Sequence, residues 1–416
     1  MVADLSPGKE TWIAGRLLPG KEDGLLLRDA TGGVTVALPS DCAAVAAGDI
    51  VDFCGALEEG LFSVRKAIRL APGGAVPPVA SPNAPLWRMG AEPFERRAAL
   101  RREVRGFFES RGFLEVETPC LRPAGGQEPY LDPFRTQIRT RSGRKDAFLI
   151  TSPEYCHKRL LAAGCEKIFE LARVFRDGPD EGGDLHWFEF TMLEWYRAYA
   201  SYEEIMADVE SLVGRAARNL AGVGASLLAS PFRRLTVAQA FDELAGIDLG
   251  PYLHHGADDF AADAARSGQY GLSPEDSPHT RFFKILVSAI EPRLADLGAV
   301  FLTDYPAAQA SLSKINEDDP SLCERFELYL NGIELANGFT ELNDPREQER
   351  RFGDEAREKK ASGMRPVPED RAFLEALELG MPPSGGVALG FDRLAMVLFG
   401  ETDLRPLLPF SGAPWA

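Results

Sequence analysis

Five short apolar-rich segments, Glu10–Leu18, Gly24–Arg28, Val34–Leu38, Ile50–Leu57 and Leu61–Leu70, read as β-strands. Thr31-Gly32-Gly33 and Glu58-Glu59-Gly60 supply turns between them. Five half-buried strands in so few residues predict a small closed or half-open β-barrel that resembles an OB-fold. Residues 71–87 hold five prolines and predict a semi-rigid linker. The expected domains are therefore 1–70, a linker at 71–87, and a larger domain at 88–416.

The pattern then changes. Leu100, Val104, Phe107 and Phe108 recur at helical spacing, and Gly112 is placed to end that helix. Phe113–Thr118 alternates as a strand that Pro119 stops. At Thr151-Ser152-Pro153-Glu154, Ser152 suits an N-cap, Pro153 the first helical position and Glu154 the positive helix end. The helix is expected to run toward Gly164, with a strand around Lys167–Phe175. Residues 200–300 read as mostly helical and carry little recognisable chemistry; the adjacent His254 and His255 read as exposed loop residues.

In the segment His186–Tyr196, alternation sends Phe190, Met192, Glu194 and Tyr196 to one strand face. An aromatic ring, a carboxylate and a phenol together suit either a solvated sheet face or a concave ligand site. Further on, Asn331-Gly332 lies between alternating arms, the pattern of a two-residue type I′ hairpin. In that register Leu330 faces Ile333, Tyr329 faces Glu334 and Glu327 faces Ala336. Glu327 and Glu334 become diagonal neighbours on one face, either a surface pair seeking separate cations or joint ligands of Mg²⁺ carrying ATP phosphates. Strict alternation places Asn337, Phe339 and Glu341 on the other face, unless a bulge at Gly338 brings Glu341 round. Gly385–Leu394 reads as a buried strand running into a helix that Gly400 closes, with Arg393 placed to clamp phosphate.

Composition adds bounds. The chain has 416 residues, 45% of them hydrophobic, and no run approaches the ~20 apolar residues of a membrane span. The start MVADLSPGKE lacks a secretory pattern, so a cytoplasmic protein is expected. Six scattered cysteines form no CxxC pair, which argues against a zinc or disulfide framework. The net charge of −17 argues against a large nucleic-acid partner. Residues 1–70 hold seven Lys/Arg against ten Asp/Glu, which favours a docking or structural barrel over a nucleic-acid binder.

Taken in order, the unit ending at Pro119, Phe175-Arg176 with Glu189-Phe190, and Gly386-Val-Ala-Leu-Gly390-Phe-Asp-Arg393 resemble the three signature motifs of class II aminoacyl-tRNA synthetases. The resemblance covers residues 85–416. It implies an α+β fold, an antiparallel sheet flanked by helices. Thr151-Ser-Pro-Glu154, Phe190-Thr-Met-Leu-Glu194-Trp-Tyr196 and Glu334-Leu-Ala-Asn337-Gly-Phe-Thr-Glu341 resemble the lysine branch. The elongation factor P lysyltransferases, truncated lysyl-tRNA synthetase paralogues, are similar in detail.

Three features favour the paralogue over a tRNA-charging enzyme: Ala388 where lysyl-tRNA synthetases carry glycine; an acidic stretch after Arg176 with Asp177, Asp180, Glu181 and Asp184; and an N-terminal extension that is short and not basic. Arg176-Asp177-Gly178 stands where the family has Arg-Asn-Glu, and Trp187-Phe188-Glu189-Phe190 where it has Asn-Pro-Glu-Phe. Glu181 and Glu189 are candidates to replace the missing adenine contacts. The altered motif also leaves open an inactive, synthetase-like binding module.

The resemblance implies activation of lysine or β-lysine with ATP, then transfer to a lysine of elongation factor P, by a homodimer. Arg176 and Arg393 become the catalytic cations. Asp177, Phe190, Glu334, Leu335 and Gly390 join them around ATP, and Glu327 with Glu334 hold Mg²⁺. Ser152, Pro153, Glu154, Glu194, Tyr196, Asn337 and Glu341 contact the amino acid, whose ammonium groups need acidic partners when desolvated.

Overall fold

The computed structural model describes residues 1–19, 24–29, 31–39, 45–73, 91–128, 131–178, 181–220, 231–255, 260–266, 268–361 and 363–408. Most of the proline-rich segment and Asp180 therefore lie outside the described residues. Two compact units are present, Met1–Ala98 with Arg405–Ala416, and Ala99–Leu404.

In the first unit, β1 (Thr11–Pro19), β2 (Leu25–Asp29), β3 (Gly32–Ala37), β4 (Ile50–Glu58) and β5 (Leu61–Ala71) close into a barrel in the order β1-β2-β3-β5-β4. The alternating residues Ile13, Leu17, Leu27, Val51, Phe53 and Phe62 fill it. Gly55 is required where β4 crosses β5, because a Cβ there would lie 2.1 Å from the Ser63 carbonyl oxygen.

The second unit is an α+β structure around an eight-stranded sheet. Its strands are β6 (Leu114–Glu115), β10 (Lys167–Phe175), β11 (Glu189–Ala198), β12 (Arg233–Thr236), β13 (Ala299–Pro306), β14 (Leu322–Leu330), β15 (Ile333–Thr340) and β16 (Ser384–Gly390). They run in the order β12-β13-β14-β15-β16-β11-β10-β6. All pairs are antiparallel except β12 with β13 and β6 with β10. A separate three-stranded sheet joins β7 (Leu121–Arg122), β9 (Gly143–Leu149) and β8 (Arg135–Thr140).

The period-two pattern of β11 decides which face is which. Leu193 and Trp195 are fully buried beneath α1 (Glu92–Glu109), where Phe108 stacks on Phe169 at 4.6 Å and meets Trp195 at 5.1 Å. Phe190, Met192 and Tyr196 point to the opposite face and line a cleft. The longer helices that follow are α2 (Glu154–Ala162), α3 (Tyr202–Leu220), α4 (Pro345–Ala361) and α5 (Arg371–Leu379), with shorter helical segments between residues 237 and 297; α6 (Phe391–Phe399) follows β16 directly.

Three expectations are corrected. The strand anticipated over Phe113–Thr118 pairs only at Leu114–Glu115, because Thr118 turns its amide and hydroxyl to Glu170 instead of a ladder. Pro153 is the N-cap residue rather than the first helical one; Ser152 still accepts the Glu154 amide at 3.0 Å. The hairpin turn forms at Asn331 and Gly332, both with positive φ, but its register slips. Glu327 faces Asn337, Leu328 faces Ala336, and Leu335 is the extra residue, so the bulge lies there and not at Gly338. Arg393 donates to the Glu334 carbonyl at 2.7 Å, a partner from outside the ladder. The slip rotates the following residues by one, and Asn337, Phe339 and Glu341 join Glu334 on the cleft face.

Candidate active site

The cleft has a volume of about 260 Å³ and draws residues from β11, β15, β16, the start of α2 and the loop before β11. Of the residues expected to bind, it gathers Ser152, Glu154, Arg176, Phe190, Tyr196, Glu334, Leu335, Asn337, Glu341, Gly390 and Arg393. Glu194 lies just behind the wall, fully buried, and accepts from Ser152 Oγ at 2.6 Å and Tyr196 Oη at 3.0 Å. Pro153, Asp177 and Glu327 are not among the lining residues. Asp177 is exposed and meets Asp132 through a backbone bridge. Of the two candidate replacements in the second motif, Glu181 lines the cleft, whereas Glu189 is exposed and paired with Arg173 at 3.7 Å.

One end is cationic. Arg393 donates to the Glu334 carbonyl, lies 3.6 Å from its carboxylate, and meets His186 Nε2 at 2.7 Å. Arg176 sits 5.1 Å over the Phe190 ring, and its Nε has no hydrogen-bond partner among the described residues. Desolvation, reinforced by Arg393, pulls the Arg176 guanidinium below its usual range, with Glu334 opposing. Two such cations beside an aromatic face suit a nucleotide: guanidinium forks match phosphate oxygens and the ring offers a stacking plane.

Behind Glu334 lies a carboxylate group the sequence showed only in part. Glu327 is bonded by Arg325 at 2.6 Å, Tyr305 at 2.6 Å and Tyr329 at 2.8 Å. Tyr329 also donates to Glu291 at 3.1 Å. Burial raises the Glu291 carboxyl to about 7, with Glu327 and Glu334 adding to the rise and Tyr329 opposing it. Among the described residues no group of three or more His, Cys, Asp or Glu side chains forms a ready metal cage. Burial raises the Glu334 carboxyl as it does Glu291, and such neighbouring carboxylates fit a divalent cation that arrives bound to phosphates, since Mg²⁺ typically takes only one or two protein carboxylates.

The other end is acidic and dry. Lys158 is fully buried, 2.7 Å from Glu154 and 2.6 Å from Glu341. Burial raises both carboxyls, Glu341 to about 8, while the two carboxylates hold Lys158 above its usual range despite its own burial. One ammonium shared between two carboxylates that also face Glu194 leaves unmet negative charge. Asn337 Oδ1 adds a buried acceptor without a partner among the described residues. Gly386 allows this closeness: a Cβ there would stand 2.3 Å from Glu341 Oε1 and 2.3 Å from the Tyr196 ring.

Lys158 was missed in the sequence; its place four residues after Glu154, on the same helix face, was the signal that could have found it. His157 and Glu170, which flank Glu194, gave no such signal. His254 is exposed on a short helix, Gly250–His255.

Comparison with known proteins matches residues 89–413 to the family model of class II tRNA synthetases of the D, K and N type. The chain belongs to that family. The chain is 39% identical over 319 residues to the elongation factor P--(R)-beta-lysine ligase of Salmonella arizonae, across 76% of this chain and 94% of the relative. It is 38% identical over the same span to the ligase of that name from Salmonella paratyphi B. The barrel strands precede the matched family region, so the shared part is the unit that carries the cleft.

Proposed function

We propose that this protein activates lysine or β-lysine with ATP and transfers it to a lysine side chain of elongation factor P. The observation that carries the reading is the polarity of one cleft: two guanidinium groups at one end, and three glutamates with a single resident ammonium at the other. A carboxylate oxygen of the amino acid attacks the α-phosphorus, the bond to the bridging oxygen breaks, and pyrophosphate leaves. The acceptor amine then attacks the carbonyl carbon, AMP leaves, and the amine gives up a proton to form the amide. Such transfer is catalysed mainly by positioning and charge neutralisation.

Arg176 faces the α-phosphate and Arg393 the β/γ end, with Phe190 stacked on adenine and Glu181, which also lines the cleft, as a contact to the base. Glu334 and Glu327 would hold a magnesium ion, which would supply charge neutralisation for the phosphates when bound. Glu154 and Glu341 meet the ammonium groups, with Asn337 and Tyr196 as neutral partners. Ala388, which lines the cleft opposite Glu194 and Asn337, narrows the space around the side chain.

The barrel is of OB type and serves docking rather than nucleic-acid binding. The working form is a homodimer joined near the first motif, where Leu114 and Leu121 are exposed. Among the described residues no helix is long and apolar enough to cross a membrane, and the cytoplasm is where the acceptor of this reaction resides. ATP–pyrophosphate exchange with α-lysine and β-lysine, followed by mass measurement on elongation factor P, tests the reading. Lysine-dependent exchange and a mass gain of one lysine support it. Charging of tRNA without modification of the factor would show a tRNA synthetase, and absence of exchange with every amino acid an inactive module.

A further inference from the structure

Glu170 on β10 and Glu194 on β11 are direct cross-strand partners, and both are buried. Two like charges placed opposite each other in a sheet repel, and burial makes the repulsion stronger. His157 of α2, with no exposed surface, reaches both: Nε2 is 2.8 Å from Glu170 Oε2, and Nδ1 is 3.4 Å from Glu194 Oε2. Glu170 is further fixed by the Thr118 amide at 3.0 Å and hydroxyl at 2.9 Å. A buried polar chain thus runs from the strand end before Pro119, through Glu170 and His157, to Glu194 and the cleft.

The cleft end of that chain has a defined proton polarity. Ser152 and Tyr196 each donate their only hydroxyl proton to Glu194. Ser152 Oγ also takes the Glu154 amide, so the lone pairs still left to accept N–H groups from an ammonium are one on Ser152 and those on Tyr196.

Resting on the proposed reading of the cleft, we infer that His157 is a positioning residue for ammonium recognition: as an imidazolium it is the counter-ion of the Glu170–Glu194 pair, and it holds the Glu194 carboxylate where Ser152 and Tyr196 donate to it and present acceptors to the substrate. The other titratable groups nearby are Glu154 and Lys158 on its own helix, Glu341 beyond β15, which pairs with Lys158, and Tyr196 on β11, whose ring lies 5.2 Å from the imidazole. Burial by itself would lower the His157 pKa, but the bonds to Glu170 and Glu194 outweigh it and hold the ring at about 9. The ring is therefore charged throughout the neutral range.

The test is a cycle of His157→Gln, Glu170→Gln and the double variant, read by lysine-dependent pyrophosphate exchange and by urea unfolding. His157→Gln is expected to raise the KM for lysine about tenfold or more, the effect of one pKa unit on a bound charge, while the KM for ATP stays within about twofold. Removing the surplus carboxylate as well should return the lysine KM to within about threefold of the parent and recover most of the lost stability. An unchanged lysine KM in His157→Gln, or a double variant as impaired as the single one, would overturn the inference. If the parent protein exchanged with no amino acid, the proposed function would fail; recovery of stability in the double variant would still establish the counter-ion role, and its absence would refute it.

Discussion

The two ends of the cleft solve the problem of charge in opposite ways. At the end with Arg176 and Arg393, the cations are held by two carbonyls, a histidine, an aromatic face and a half-exposed glutamate. At the end with Glu154, Glu194 and Glu341, charge is offset in part from within by Lys158 and His157, both without exposed surface. The contrast follows from the partners each end is proposed to take. A triphosphate brings several charges and a metal ion, so its receptor keeps free donors. A lysine side chain brings one compact ammonium, and a fully dry acidic pocket would be too costly without resident cations to offset it.

The largest test breaks the cationic end. Arg176→Ala and Arg393→Ala are each expected to lower the exchange rate by about 10²–10³-fold or more, with circular dichroism and melting temperature little changed. A normal rate in either would remove that arginine from the chemistry. Lys158→Met probes the opposite end through stability. Removing one partner from a buried ionic group costs about 3–5 kcal/mol, so urea unfolding should show a loss of that order, larger than for either arginine variant. An unchanged midpoint would mean that Glu154 and Glu341 accommodate the loss by taking up protons.

The same contrast has a pH signature. His157 rises from its ordinary 6.5 to about 9 on folding, so its contribution is fully present below 6.5 and lost as pH climbs through 9. The linked stability is on the order of 3 kcal/mol. Glu341, raised to about 8, shifts in the same sense. Unfolding free energy should therefore fall between pH 6.5 and 9, and fall less in His157→Gln; parallel curves would assign the decline to the carboxyls. A smaller effect is expected from Gly386→Ala. Its methyl would press on Glu341 and Tyr196 and weaken lysine binding by about 1–3 kcal/mol, with ATP binding spared, as measured by separate KM values. Least of all, Asp177→Ala, exposed and outside the cleft lining, should change either KM by less than about twofold.

Much of this was readable along the chain. The alternation over Phe190–Tyr196 placed four side chains on the cleft side, and Asn331-Gly332 fixed the turn, because both depend on neighbours in sequence and on backbone sterics. β10 spans Lys167–Phe175, the very residues expected. The bulge at Leu335 was not readable. It depends on what β14 and the Arg393 side chain offer the backbone, and it alone decides that Asn337 and Glu341 face the cleft with Glu334.

By itself, then, the sequence determined the barrel-forming segments, the strand faces, the turns and the order of the family motifs, all set by interactions within a few residues. Only the tertiary structure decided how the acidic pocket is neutralised. Glu170, Glu194, His157, Lys158 and Glu341 come from two strands, a helix and a hairpin arm spread over residues 157–341. Coulomb energy in a desolvated site depends on distances of a few ångströms that no local pattern encodes.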